Sequence, residues 1–211
     1  MYKLYYSPGA CSMGPHVILN ELGVSFEPIK INLDSGEHKK PEFLKINPRG
    51  QVPVLVEDNG TPIKEGAAII LHLLDKHGSP LLPKSGMDRT KAIEWLMWCN
   101  ASLHPAYGKA FWASNVITDK PVLDSTLKAI VANIQTYWDE AETRLSQNKY
   151  LAGNFLSPGD ILMTVIADWG QWLPSQPKLG PNVMRVIKEV SGRPSFQKAL
   201  KTEHMEYKAA A

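Results

Sequence analysis

"YKLYYSPGACSMGPHVILNELG", Tyr2–Gly23, decides the fold. Tyr2-Lys3-Leu4-Tyr5-Tyr6 has the composition of a short strand, and Val17-Ile18-Leu19 with Leu22 supplies a helix face. Gly23 is a natural C-terminal stop for that helix. Between the two lies a Pro8-Gly9 turn, and Cys11 and Ser12 stand side by side where the helix begins. A strand, a tight turn and a helix form the first half of a β-α-β unit.

The next sixty residues complete that unit. Phe26–Ile31 alternates as a second strand, Pro41–Ile46 suggests a short helix, and Val52–Val56 is an apolar strand. Asp58-Asn59-Gly60 is a tight-turn signal that leads into another strand ending at Lys64. Ala67–His77 is helical, with Ile69, Ile70, Leu73 and Leu74 on one side. The order is β-α-β-α-β-β-α. A crossover helix requires the first two strands to be parallel, and the last two form a hairpin.

After residue 77 the character changes. Residues 78–88 are rich in proline and glycine and read as a linker. Arg89–Trp112, Leu123–Ser146, Asp160–Leu173 and Val183–Val190 carry helical periodicity, with no convincing strand. The expected organisation is an α+β domain over 1–77 and an all-α helical bundle over 89–211. At 211 residues, the chain is long enough for each part to bury a core.

Composition excludes several classes. A net charge of +2, with no Lys/Arg block interleaved with aromatics, predicts no nucleic-acid partner. No apolar run approaches the ~18 residues that span a bilayer, so no membrane partner is expected. Met1 leads directly into strand-like sequence without a signal peptide, and Cys11 and Cys99 are the sole cysteines. A reduced cytoplasmic setting with free thiols follows as the expectation.

Five stretches carry residues suited to chemistry. A lone cysteine is most often an inert filler, but at a helix N-terminus unpaired N–H groups and the dipole favour a thiolate. Cys11-Ser12-Met13-Gly14 has no second cysteine, so Cys11 could form only a mixed disulfide; Ser12 could be no more than a helix cap. In Asn47-Pro48-Arg49-Gly50-Gln51-Val52-Pro53, proline heads an apolar strand. Its bond is either an ordinary trans bond or a cis bond that turns the N–H and C=O of Val52 outward to pair with an extended peptide. Glu65-Gly66-Ala67 opens a helix, where Glu65 is either a dipole-matching acid or the holder of an ammonium, with the Gly66 N–H binding a carboxylate. His104 lies inside a long helix with no metal-ligand partner at suitable spacing. Tyr107, Phe111, Trp112, Trp169 and Trp172 are core or packing aromatics, or in part an apolar ligand pocket. Ser157-Pro158-Gly159-Asp160 is a structural capping motif.

Together these pieces resemble the cytosolic glutathione transferases: a thioredoxin-like domain, a proline linker and a helical domain. The likeness is closest to the bacterial beta class, whose active-site turn is similar to Ser7-Pro8-Gly9-Ala10-Cys11-Ser12. Asn47–Pro53 resembles the family's cis-proline segment, and Glu65-Gly66-Ala67-x-Ile69 its γ-glutamyl-binding turn. Leu103-His104-x-x-Tyr107 is similar to a stretch whose histidine reaches the active site.

The resemblance implies a transferase with glutathione as co-substrate, no metal, small apolar electrophiles as second substrates and a homodimeric assembly. Cys11, Ser12 and His104 are then the expected catalytic positions. Glutathione contacts would come from Tyr6, Cys11, Gln51, Val52, Pro53, Glu65, Gly66 and His104, and electrophile contacts from Tyr107, Phe111, Trp112 and Trp169. Gly66 departs from the pattern by lacking the hydroxyl that serine supplies in many relatives. Met97 and Pro105 also depart, and Lys39 and Lys40 are candidates for the glycine carboxylate. The expected state of Cys11 is a neutral thiol that donates a weak hydrogen bond, while Ser12, His104 and backbone N–H groups stabilise a bound thiolate. Two other readings remain open: a thiol–disulfide oxidoreductase or peroxidase using Cys11, and a non-catalytic module that binds glutathione or apolar ligands.

Overall fold

The computed structural model describes Met1–Ala210 and divides into two compact units. The first comprises Met1–Lys84 with Gly192–Glu206, and the second comprises Ser85–Ser191 with the residues from Tyr207 on. Residues 192–206 group with the first unit although they follow the helices of the second.

The first unit has the predicted β-α-β-α-β-β-α order: β1 (Tyr2–Tyr6), α1 (Met13–Glu21), β2 (Phe26–Lys30), α2 (Pro41–Leu44), β3 (Val54–Val56), β4 (Pro62–Lys64) and α3 (Gly66–His77). The sheet order is β2-β1-β3-β4. β1 and β2 are parallel with Tyr2 opposite Phe26, and the other two pairings are antiparallel. Tyr2, Leu4 and Tyr6 are buried while Lys3 is exposed, the period-two alternation of a strand with one packed face. The Asp58-Asn59-Gly60 turn closes as expected, with the Glu57 N–H on Thr61 O and Asn59 Oδ1 accepting from the Thr61 N–H.

α3 buries Ala67, Ile69, Ile70, Leu73 and Leu74, one face at helical spacing. α1 is buried from Met13 to Leu19 because both α3 and α9 (Pro194–Glu203) pack on it. α9 was absent from the sequence expectation. Its signals are Pro194 at the first helical position and the apolar spacing Phe196, Ala199, Leu200. Arg193 fixes it to α1 by a forked ion pair with Glu21, at 2.7 and 2.9 Å.

The second unit is helical: α4 (Gly86–Trp98), α5 (His104–Val116), α6 (Lys120–Gln147), α7 (Pro158–Ala167) and α8 (Pro181–Ser191). The single helix expected over Arg89–Trp112 is instead α4, a π-helical segment Cys99–Leu103, and α5. Pro105 gives the physical reason: it has no N–H to donate to Ala101 and its ring crowds that carbonyl, so a widened turn absorbs the mismatch.

α7 is buried over all ten residues. Gly159 permits its close approach to α4, because a Cβ there would lie 3.0 Å from the Trp95 carbonyl carbon. Cys99 donates to Gly159 O at 3.3 Å, and burial pushes its thiol well above the ordinary range, so it is an inert packing thiol. Asp160 caps α7. Its Oδ2 accepts from the Ser157 N–H (2.9 Å) and hydroxyl (2.7 Å), and its Oδ1 from the Leu151 N–H (2.8 Å). Asp160→Ala leaves three buried donors unpaired, and a loss of about 2–4 kcal/mol is expected in denaturant unfolding.

Candidate active site

The turn between β1 and α1 is built by its own backbone. Gly9 takes φ 70°, a left-handed value that favours glycine, and the Ala10 N–H closes on Ser7 O at 3.1 Å. Ser12 is fully buried; its hydroxyl donates to Ser7 O and accepts from the Ser7 N–H, both at 3.1 Å. It therefore neither caps α1 nor presents its hydroxyl to a ligand, contrary to both sequence readings. The end of β1 needs those two bonds, and Ser12 supplies them.

Cys11 is half-buried and its thiol points at the carbonyl of Val52, 3.7 Å away. Burial pushes this thiol up to about 11, and the Glu65 carboxylate adds to the rise. The N–H groups of Cys11 and Ser12 pull the other way without prevailing. That shift favours the neutral thiol at pH 7, with its S–H directed at Val52 O.

Val52 precedes the strand rather than opening it, since β3 starts at Val54 and the Val52–Pro53 bond is cis. The preceding loop is fixed by Asn47, which is 2% exposed. Its Nδ2 donates to Gln51 O at 2.7 Å, and its Oδ1 accepts from the Arg49 N–H at 3.2 Å. The Gln51 side chain is exposed.

Pro53 leads to α3. A Cβ on Gly66 would stand 3.6 Å from Pro53 Cγ, ordinary contact. Glu65, just before the helix, has φ 70° and ψ 116°, a conformation that is costly for a non-glycine residue and concentrated at functional sites. Its carboxylate is exposed and paired with the Arg49 guanidinium. The first turn of α3 carries no acidic side chain and no side-chain cap, so its N–H groups can receive an anion. Cys11, Val52, Pro53, Gly66, Glu65 and Arg49 thus form one connected locus in the first unit.

Beneath it lies a feature the sequence did not reveal. His16 and Glu203 are buried side chains joined Nδ1 to Oε1 at 2.8 Å, and Glu203 Oε2 accepts from the Gly9 N–H at 3.0 Å. Tyr6 is 5% exposed with its ring 5.5 Å from that of His16. Burial, then the Glu203 charge, raises its phenol above the ordinary range. The partners are 187 residues apart in sequence, so no local spacing could have signalled them.

The remaining expected residues belong to the second unit. The His104 ring is 5.0 Å from Trp169, which also meets Tyr107 at 5.9 Å and Phe111 at 6.0 Å. Tyr107 is fully buried, and its hydroxyl accepts from Trp138 Nε1 at 2.9 Å. Burial raises that phenol too, so Tyr107 supports the cluster from within rather than lining a surface. Trp169 is 4% exposed, whereas Trp112 is 62% exposed. Among the described residues, no group of three or more His, Cys, Asp or Glu is placed to hold a metal ion, and no helix is long and apolar enough to cross a membrane.

Comparison with known proteins places the chain in a family. Residues 1–75 match the family described as "Glutathione S-transferase, N-terminal domain", and residues 104–194 match "Glutathione S-transferase, C-terminal domain". Glutathione S-transferase F10 of Arabidopsis thaliana is 35% identical over 76% of this chain and 77% of its own length. This chain belongs to the glutathione S-transferase family. Glutathione S-transferase GstA of Escherichia coli O157:H7 is 29% identical over 97% of this chain and 100% of its own. The solved bacterial beta-class glutathione S-transferase of Sphingomonas chungbukensis superposes with a TM-score of 0.85 at 28% identity, covering 97% of this chain and 100% of that one. The fold is the family's: a thioredoxin-like mixed sheet with helices, joined to an all-helical domain. The chain is accordingly an enzyme of the transferase class.

Two measurements check the geometry of this locus. Alkylation of Cys11 in the free enzyme should run about 100-fold slower at pH 7 than that of a free thiol of pKa ~9, rising tenfold per pH unit towards pH 11. Glu203→Ala removes the carboxylate that His16 and the Gly9 N–H share in the interior. It should cost about 3–5 kcal/mol in denaturant unfolding and speed Cys11 alkylation by loosening its turn.

Proposed function

We propose that the protein conjugates glutathione to small apolar electrophiles, as a beta-class transferase. The observation that carries this reading is the connected locus just described. The Val52 carbonyl is set beside a thiol at one helix start, and the Glu65 carboxylate sits beside free N–H groups at another. Those groups match a γ-glutamyl-cysteinyl peptide. Glu65 and the α3 N–H groups take the zwitterionic head, and the backbone of Val52 pairs with the cysteinyl residue. The peptide's sulfur then comes to the N–H groups of Cys11 and Ser12. Gln51 lies where it can add a contact, while Tyr6 and Ser12 hold the turn from beneath.

Glutathione, not Cys11, is the nucleophile in this reading. The protein holds its own thiol protonated, so it donates to a bound thiolate rather than competing with it for the same N–H donors. Lowering the glutathione thiol from ~8.5 to the mid-sixes makes most of it thiolate at neutral pH and needs about 2–3 kcal/mol of differential interaction. A helix N-terminus with one or two hydrogen bonds supplies that amount. Phe111 and Trp112 offer aromatic surface for an apolar second substrate, with the buried Trp169 packed against Phe111, and His104 assists turnover. The enzyme acts as a homodimer in the cytoplasm, with no metal.

The alternative places the redox chemistry on Cys11: a mixed disulfide with glutathione that reduces small disulfides or peroxides. The half-exposed thiol at the peptide-pairing carbonyl favours that disulfide as an accompanying activity. One pair of assays separates the two. Cys11→Ala should abolish the mixed disulfide yet lower conjugation of a chlorodinitrobenzene no more than about tenfold, the worth of one weak hydrogen bond. A loss of conjugation by several orders of magnitude would make Cys11 the nucleophile. His104→Ala should lower turnover and leave the disulfide intact. Glutathione binding with neither activity would leave a storage module.

A further inference from the structure

Arg49 occupies the position that Asn47-Pro-x-Gly-Gln-Val-Pro53 leaves open, and nothing in the fold requires a cation there. Its side chain and that of Glu65 are 63% and 58% exposed. An exposed pair of this kind adds about 0–1 kcal/mol to stability. Its placement is nevertheless strict. The Arg49 N–H is held by the buried Asn47, and the next residue is Gly50 at φ 62°, where a Cβ would lie 2.8 Å from His38 O. The backbone that carries Arg49 therefore cannot drift.

Among the described residues, Arg49 engages Glu65 Oε1 through Nη1 alone, which leaves the other arm of the guanidinium open. Glu65 Oε2 is open as well. A guanidinium arm and a carboxylate oxygen side by side complement a carboxylate and an ammonium on one carbon, the head of an α-amino acid. Glu65 alone would repel the carboxylate of that head; Arg49 turns repulsion into attraction.

The neighbouring residue supplies the second observation. Gly66 has no side chain, so the residue next to Glu65 offers the head no side-chain donor, although a Cβ would fit at 3.6 Å from Pro53. We propose that Arg49 is a further substrate-binding residue, whose guanidinium takes the α-carboxylate of the γ-glutamyl head in place of a hydroxyl at position 66. This rests on the glutathione reading above and deepens it: the enzyme selects thiols that carry a free α-carboxylate beside the ammonium.

Calorimetric titration of the full-length protein tests it, with glutathione and with glutathione amidated at its γ-glutamyl α-carboxylate. Wild type should bind glutathione about tenfold or more tightly than the amide. Arg49→Ala should lose about tenfold for glutathione and little for the amide, and Arg49→Lys should lie between. Adding Gly66→Ser to Arg49→Ala should recover most of the loss. In turnover, KM for glutathione should rise with kcat within about twofold. Equal weakening of both ligands, or no weakening of either, overturns the assignment of Arg49 while leaving the glutathione site standing. Wild type that binds neither ligand overturns the glutathione reading and this inference with it.

Discussion

A carboxylate with no solvent-exposed side-chain surface holds the first unit's functional turn in place. Glu203 ends the last helix and spends one oxygen on His16 and the other on the Gly9 N–H. A buried carboxylate is tolerated only when its oxygens are occupied, so three parts of the chain are constrained at once. α9 must return to α1 from the far end of the sequence. α1 must begin where His16 faces inward. The Pro8-Gly9 turn must aim its N–H into the protein, which leaves Cys11, two residues on, half-exposed beside Val52. The same charge reaches Tyr6 and helps keep that phenol protonated.

Cys11 shows why a helix N-terminus does not by itself make a thiolate. Two N–H groups favour the anion, but partial burial strips water from the sulfur and Glu65 lies close enough to oppose ionisation. The desolvation is the larger effect. A ligand thiol brought to the same N–H donors would share their attraction, while a protonated Cys11 adds a donor instead of a second negative charge.

Local chemistry was legible in the sequence and remote pairing was not. The strands, α1, the hairpin turn and α3 follow from period and from turn residues within windows of a few residues. The Cys11 turn, the cis-proline loop and the Glu65 turn were legible for the same reason, as each is a contiguous motif. Ser12 was misread because a serine at a strand–helix junction has two nearby partners, the helix amides and the strand end, and sequence does not rank them. His16 and Glu203 were invisible because their contact spans 187 positions. The break before Pro105 was accessible in principle, since the lost N–H and the crowded carbonyl are properties of the residue itself. Arg49 carries no local signal, because only the fold brings it to Glu65.

The Arg49–Glu65 pair also bears on the thiol. Glu65 raises the pKa of Cys11, so anything that neutralises Glu65 eases ionisation nearby. Under the proposed reading, an incoming γ-glutamyl head adds one ammonium and one carboxylate to one guanidinium and one carboxylate. The four charges alternate, and their sum is zero before and after binding. Docking the head therefore places no net charge beside the sulfur. The electrostatic opposition to a thiolate at Cys11's N–H donors does not grow when the peptide arrives. A lone acid at this position would leave the ligand's carboxylate to the α3 N–H groups alone, and a lone base would leave its ammonium unmatched. Holding both charges on short, fixed segments lets one small turn bind a zwitterion tightly without setting the protonation of the thiol it delivers, and that task is left to the N–H groups of the first helix.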